Sequence, residues 1–266
     1  MTTLTTLTTL EYYESTGVGY VTLSRPEVRN AFDETMIAEL SSLLQELAAR
    51  GDLRALVLSG RGKAFCAGAD LNYMRRMREY DAGRNLEDSL AIAECFHLLA
   101  RFPRPTLCKV HGAAIGGGVG FVAACDFVFA EEHTMFSLSE VKIGLVPACI
   151  SPFVIKRMGE TKARQYFISG ARFAAPLAES LGLCDRSLPQ GDLDPSMEQL
   201  LEMIKSSGPE AVTCAKRLVQ DVVDLPRLDD AKHFTAEVIA AIRVGAEAQE
   251  GMTAFLEKRT PTWVQS

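Results

Sequence analysis

Three short stretches of this 266-residue chain carry residue types and spacings that could do chemistry. The first, Ala64 to Asp70 (AFCAGAD), clusters small residues between an apolar run and a helical pattern. Backbone in such a loop can come close to a ligand, and free peptide N–H groups just before a helix attract negative charge. A tight strand-to-helix turn is the other reading of the same residues. The second stretch, Gly116 to Gly120 (GGGVG), again follows a strand pattern and opens a helix. An N–H at that helix start, with no side chain in the way, can receive a carbonyl oxygen. The third is Glu140, in FSLSEVKIGLVPA. A carboxylate at the end of an apolar strand is partly desolvated, which raises its pKa toward values useful for proton transfer. Spacing alone favours a plainer role, pairing with Lys142 or a helix terminus at the surface.

Other constellations fail. Gly118 to Ala123 fits the GxGxxG/A dinucleotide fingerprint, with Glu140 placed 22 residues after Gly118. The helix that follows has barely two turns before Asp126, and two strand-like runs fill the space to Glu140, which argues against a nicotinamide cofactor. There is no GxSxG elbow and no HExxH, and His97, His111, His133 and His233 stand apart without metal-like spacing. No metal site is expected. Arg75, Arg76 and Arg78 read as a solvated helix face or, less simply, as a phosphate-binding patch.

The elements that must position these residues follow from periodicity. Residues 17–25 alternate as a strand, and Asp33 can cap a helix with Met36, Ile37, Leu40, Leu43, Leu44 and Leu47 on one face. Residues 53–59 form a continuously apolar strand of the buried kind. Helical patterns follow from about Leu71 and from Asn85 to Ala100. A strand at 106–112 leads into the glycine run and a short helix to Cys125, and strand-like runs follow at 126–130 and 134–139. Beyond Pro147 the pattern is helical to the end, broken by a strand-like piece at 183–188. Strand, loop and helix alternating with short connections predict an α/β fold. The N-terminal TTL triplets read as a lead-in or an extended strand.

Composition bounds the rest. With 47% hydrophobic residues the chain can bury a proper core. Lys plus Arg number 28 against 34 Asp plus Glu, a formal charge of −6, which argues against coating nucleic acid or an acidic membrane. Seven scattered cysteines with no CxxC pair suit free, mostly buried thiols in a reducing, cytoplasmic setting. The start lacks a basic n-region and an apolar h-region, so no secretory signal is expected. The longest uncharged stretch, Gly112 to Cys125, is 14 residues, too short for a membrane span.

Taken together, SRPEVRNAFD, GKAFCAGADL, KVHGAAIGGGVG, ACDFVFA, FSLSEVKIGLVP, GARFAAPLAESLGL and the terminal FLEKR resemble, in order and spacing, the enoyl-CoA hydratase/isomerase (crotonase) superfamily. The resemblance implies a crotonase-type spiral of ββα repeats at 1–194 and a C-terminal helical trimerisation region at 195–266, in a homotrimer or dimer of trimers. It implies an acyl-CoA thioester as substrate, with coenzyme A as part of that substrate and no separate cofactor. Carried over by position, the N–H groups of Ala69 and Gly117 would form an oxyanion hole. Ala67, Ala69, Asp70, Leu71 and Gly117 would line the coenzyme A path, and Glu140 would carry protons. The second glutamate of the two-glutamate hydratases falls at Gly120, which points toward isomerases that work with one carboxylate.

A finer resemblance runs the other way. AGADLNYMRRM, GGGVGFVAACD and SEVKIGLVPACISPFVIKRMGE look like bacterial methylglutaconyl-CoA hydratases of leucine degradation, and FSLSE with GLVPAC is similar to dehydratases of polyketide β-branching. The expected activity is therefore hydration of an enoyl-CoA, with 3-methylglutaconyl-CoA preferred. The alternatives are a Δ3,Δ2-enoyl-CoA isomerase and a hydroxymethylglutaryl-carrier-protein dehydratase. RNA binding is disfavoured by the lack of a long basic stripe, and a catalytically dead scaffold by the intact loops and Glu140.

Overall fold

The computed structural model describes residues 7–225 and 227–264. The described residues divide into two compact units, 7–102 with 106–197 and 103–105 with 198–225 and 227–264.

The first unit is built on a six-stranded sheet. Its strands are β1 (Leu10–Ser15), β2 (Val18–Leu23), β3 (Ala55–Gly60), β4 (Thr106–Val110), β6 (Phe127–Glu131) and β9 (Arg186–Leu188), ordered β1-β2-β3-β4-β6-β9. Only β1 and β2 run antiparallel, as a hairpin turned at Thr16 and Gly17, both with positive φ. The parallel partners are reached through crossover helices, as parallel pairing demands. A second sheet holds three strands of three residues each: β5 (Ala113–Ile115) parallel to β7 (Met135–Ser137), and β7 antiparallel to β8 (Arg172–Ala174). The chain thus winds from large sheet to small sheet to helix and back, as the spiral of ββα repeats implied by the sequence resemblance would.

Helix α1 (Glu34–Ala48) starts where Asp33 accepts a hydrogen bond from the Met36 amide. All six apolar residues expected on its inner face are buried. Each such side chain contributes about 1.5–3 kcal/mol of transfer free energy. Helix α2 (Leu71–Met77) and α3 (Ala82–Ala100) link β3 to β4. Helix α4 (Gly117–Ala124) is apolar all round, and seven of its eight residues are buried, so it runs through the core rather than along the surface. After β7 come α5 (Ser151–Met158), α6 (Glu160–Ser169) and α7 (Ala175–Ser180).

Helix α8 (Leu193–Ser206) buries Leu193, Met197, Leu201 and Ile204, spaced for one helix face. In the second unit α9 (Pro209–Val223) and α10 (Leu228–Arg243) bury no residue, and α11 (Ala246–Glu257) buries only Ala254. Their apolar residues Val219, Val223, Ile239, Met252, Phe255 and Leu256 stand exposed.

Three details differ from the periodicity reading. Residues 113–115 and 172–174 are strands too short to show an alternation, the second of them inside a stretch read as helical. Leu10–Ser15 is a full strand, preceded by Thr8 and Thr9, which bond to the Glu39 carboxylate; most of the TTL repeats lie outside the described residues. Glu140 is not a strand end: it opens a 3-10 turn, Glu140–Ile143, after β7 has finished at Ser137.

Candidate active site

Two loops approach each other through single-residue parallel bridges. Cys66 pairs with Ala114: its N–H donates to Ala113 O at 3.1 Å, and its carbonyl accepts from Ile115 N at 3.0 Å. Phe32 pairs with Ala69: its N–H donates to Gly68 O and its carbonyl accepts from Asp70 N, both at 2.8 Å. In a parallel bridge the partner's flanking groups do the bonding and the central residue points the other way. The N–H of Ala69 is accordingly left without an internal acceptor among the described residues.

The second free amide arises from helix geometry. Gly117 is the first residue of α4, and the opening N–H groups of a helix have no partner within it. Gly116 N bonds to Ser137 O at 2.8 Å and Val119 N to Gly116 O at 2.8 Å, while Gly117 N takes no acceptor among the described residues. Ala69 and Gly117 are both half-buried, so their amides remain reachable. Helix polarity adds partial positive charge at Gly117.

Glycine is needed on this helix start for steric reasons. Gly116 has φ +52°, and a Cβ there would stand 3.1 Å from Glu140 Oε1. A Cβ on Gly117 would lie 2.5 Å from Phe32 Cε1, and one on Gly118 2.6 Å from Cys66 O. Glu140 therefore rests against the residue preceding one free amide. Its Oε2 is buried with no hydrogen-bond partner, and burial pushes its carboxyl above the usual carboxylate range. Pairing with Lys142 is absent from its surroundings, and the Lys142 side chain packs by Gly170 instead.

Asp70 is turned inward, 4% exposed. It caps α2 by accepting from Asn72 N at 2.7 Å and Tyr73 N at 3.2 Å, and Arg25 Nη2 lies 3.1 Å away. Burial alone would raise its pKa, but the two amides and Arg25 outweigh that and hold it below the ordinary value. The same guanidinium reaches Asp33, the α1 cap, at 3.1 Å, so one arginine ties together two helix starts. Ala67 N is committed to Arg29 O, and Leu71 is exposed at the first turn of α2. Arg76 pairs with Glu34 and Arg75 with Asn72, both on the exposed face.

Residues missed in the sequence are those that do the arranging. Phe32 brackets Ala69 with its backbone and presses its ring on Gly117; its signal was an aromatic residue just before a helix cap, where staple residues sit. Ile150 and Phe96 close over Gly120, a contact between three separate segments that no local pattern carries. Among the described residues no group of three His, Cys, Asp or Glu side chains could hold a metal ion, and no helix is long and apolar enough to cross a membrane.

The fold recurs in known proteins. The structure superposes on an enoyl-CoA hydratase from Shewanella pealeana with TM-score 0.94 and 38% identity, covering 97% of each chain. An enoyl-CoA hydratase from Mycobacterium smegmatis gives TM-score 0.91 at 30% identity, covering 97% of this chain and all of that one (100%). An enoyl-CoA isomerase/hydratase of Mycosarcoma maydis is 30% identical over 93% of this chain and 93% of its own. The family model described as enoyl-CoA hydratase/isomerase matches residues 13–266, so the chain belongs to that family and is an enzyme.

Proposed function

We propose that the chain adds water across the double bond of an α,β-unsaturated acyl-CoA thioester, using Glu140 as general acid and base and the Ala69 and Gly117 amides to receive the thioester oxygen. The observation that carries this reading is a buried, partnerless carboxylate oxygen on the residue that lies against Gly116, which directly precedes the free amide of Gly117. As water adds to C3, electrons move to the thioester oxygen and build enolate charge there. Two preorganised donors stabilise that charge, and one donor is typically worth about 2.7–4 kcal/mol of barrier. One carboxylate satisfies the proton count: Glu140 takes a proton from the attacking water and returns it to C2 as the enolate collapses. A raised pKa suits both halves of that cycle.

The sequence resemblance names 3-methylglutaconyl-CoA, hydrated to 3-hydroxy-3-methylglutaryl-CoA, as the first substrate to test. The closure of Gly120 by Ile150 and Phe96 favours a second reading, a Δ3,Δ2-enoyl-CoA isomerase, in which Glu140 carries a proton from C2 to C4 without water. The exposed apolar residues of α9, α10 and α11 support a homotrimer or dimer of trimers, and seven free cysteines support a reducing, cytoplasmic setting. The decisive assay offers crotonyl-CoA, 3-methylglutaconyl-CoA and a 3-enoyl-CoA to the wild type and to Glu140→Gln. Loss of conjugated thioester absorbance with the first two marks hydration, and its appearance with the third marks isomerisation. Equal rates for wild type and variant would remove Glu140 from the mechanism.

A further inference from the structure

Gly120 lies one turn beyond the start of α4, and side chains stand where its own would be. A Cβ there would overlap Ile150 Cγ2 and come within 2.8 and 2.9 Å of Phe96 Cε1 and Cζ. Ile150 is 3% exposed and Phe96 is fully buried. The segment that begins at Glu140 ends at Ile150, and both ends rest on α4: Glu140 Oε1 beside Gly116, the Ile150 methyl beside Gly120. Gly116 is the non-helical cap of α4 and Gly120 lies one turn inside it, so the carboxylate and the methyl group meet the same end of the helix about one turn apart. Cys149 donates from Sγ to Ser89 O on α3 at 3.6 Å, which holds the Ile150 end of the segment against the helix that also carries Phe96. The rise from Gly117 to Gly120 is about 4.5 Å, the reach of a few carbon–carbon bonds.

We propose that Ile150 is a specificity-determining residue: backed by Phe96, it forms the apolar wall that the acyl chain meets from C3 outward, and its seat on Gly120 sets how large a chain the site takes. The inference rests on the acyl-CoA reading above and adds the substrate class, thioesters whose C3 substituent is alkyl on the side of this wall. A 3-methyl branch would meet the same surface. Truncating Ile150 opens space for longer chains. Adding a methyl group at Gly120 drives Ile150 off the helix and into that space. Pocket changes of one methylene typically alter discrimination by about 10- to 200-fold.

The test is kcat/KM for crotonyl-CoA, trans-2-hexenoyl-CoA and trans-2-octenoyl-CoA in the wild type, Ile150→Ala, Ile150→Val and Gly120→Ala, with circular dichroism to confirm folding. The octenoyl-to-crotonyl ratio should rise about tenfold or more in Ile150→Ala, rise less in Ile150→Val and fall in Gly120→Ala. A merely structural role would lower all three substrates together. Ratios unchanged within about twofold in the folded variants overturn the proposal, and Ile150→Val, the mildest change, decides it if the alanine variants do not fold. If the wild type converts none of the three and not 3-methylglutaconyl-CoA either, the functional reading falls and the proposal with it; conversion with unchanged ratios, or conversion of 3-methylglutaconyl-CoA with no straight-chain thioester accepted even by Ile150→Ala, removes the proposal alone.

Discussion

The ring of Phe32 occupies the place where a side chain on Gly117 would begin, with Cε1 and Cζ at 2.5 and 2.8 Å from a Cβ built there. Since the Phe32 backbone also brackets Ala69, one residue sets the separation of the two free amides. Gly117→Ala must therefore displace either the ring or the helix start. We expect kcat/KM to fall about 100- to 1,000-fold, the usual cost of losing an oxyanion donor. Adding Phe32→Leu to Gly117→Ala should restore part of the rate by making room. Steady-state hydration assays on the two single variants and the double variant check this, and an equal or lower rate in the double variant would show that the ring is not the obstacle.

Glu140→Gln separates catalysis from stability. Removing a general acid and base costs about 100- to 10,000-fold in rate. The same change replaces a buried ionisable group with a neutral amide, which removes the charge that burial desolvates while leaving a polar atom in the place of Oε2. Because burial raises this pKa in the folded state, the native protein loses stability as pH rises from the ordinary value of 4.5 to the raised one, and the deficit then stays constant. Glu140→Gln should consequently melt higher than wild type at pH 7 and no higher below pH 4.5. Calorimetry across that range reads the crossover.

The pH profile of kcat/KM follows from the same carboxyl. Taking a proton from water requires Glu140 to be ionised, so the rate should fall on the acid side with a midpoint above 4.5. A midpoint at or below that value would mean that the carboxylate is solvated in the working enzyme.

Asp70 should behave as a structural cap. Asp70→Ala removes the α2 cap, worth about 0.5–2 kcal/mol, and leaves Arg25 facing only Asp33 and the Ala31 carbonyl. Asp70→Asn keeps an acceptor for the amides and loses only the ion pair, so urea unfolding should rank wild type, then Asn, then Ala. The lowered pKa means that the carboxylate's contribution is complete above its ordinary value of 3.8 and disappears as the pH falls through the folded-state value. Wild type and Asp70→Asn should converge there.

Thiol titration checks the core. Burial pushes Cys66 and Cys95 up to about 12 and raises Cys108 and Cys184 as well. Cys125 is buried too, which leaves Cys149 and Cys214 partly accessible. A water-soluble disulfide reagent should react with no more than two thiols in the native protein and with all seven after denaturation.

Much of this was legible in the sequence where local rules dominate. The α1 face repeats at helical spacing, Asp33 precedes a helix as its cap, and the glycine run at 116–118 stands where a helix start is closely approached by other groups. Local rules fail where a residue's role is decided by a distant neighbour. Three-residue strands such as β5 and β8 exist because β7 pairs with both, and three residues cannot display a period. Glu140 follows apolar residues, yet Gly144 with φ +77° closes a 3-10 turn there rather than extending a strand. Gly120 reads as an omitted glutamate; only the packing reveals that its space belongs to Ile150.

The two single-residue bridges, Phe32 to Ala69 and Cys66 to Ala114, both fall before Gly117. They confine the amide pair to residues between Phe32 and Gly117, whereas the carboxylate and the apolar wall arrive together on the stretch from Glu140 to Ile150, whose middle from Lys142 to Val146 is exposed. The free amides and the Glu140–Ile150 stretch therefore sit on separable parts of the chain, and a substitution within the exposed middle of that stretch leaves both bridges untouched.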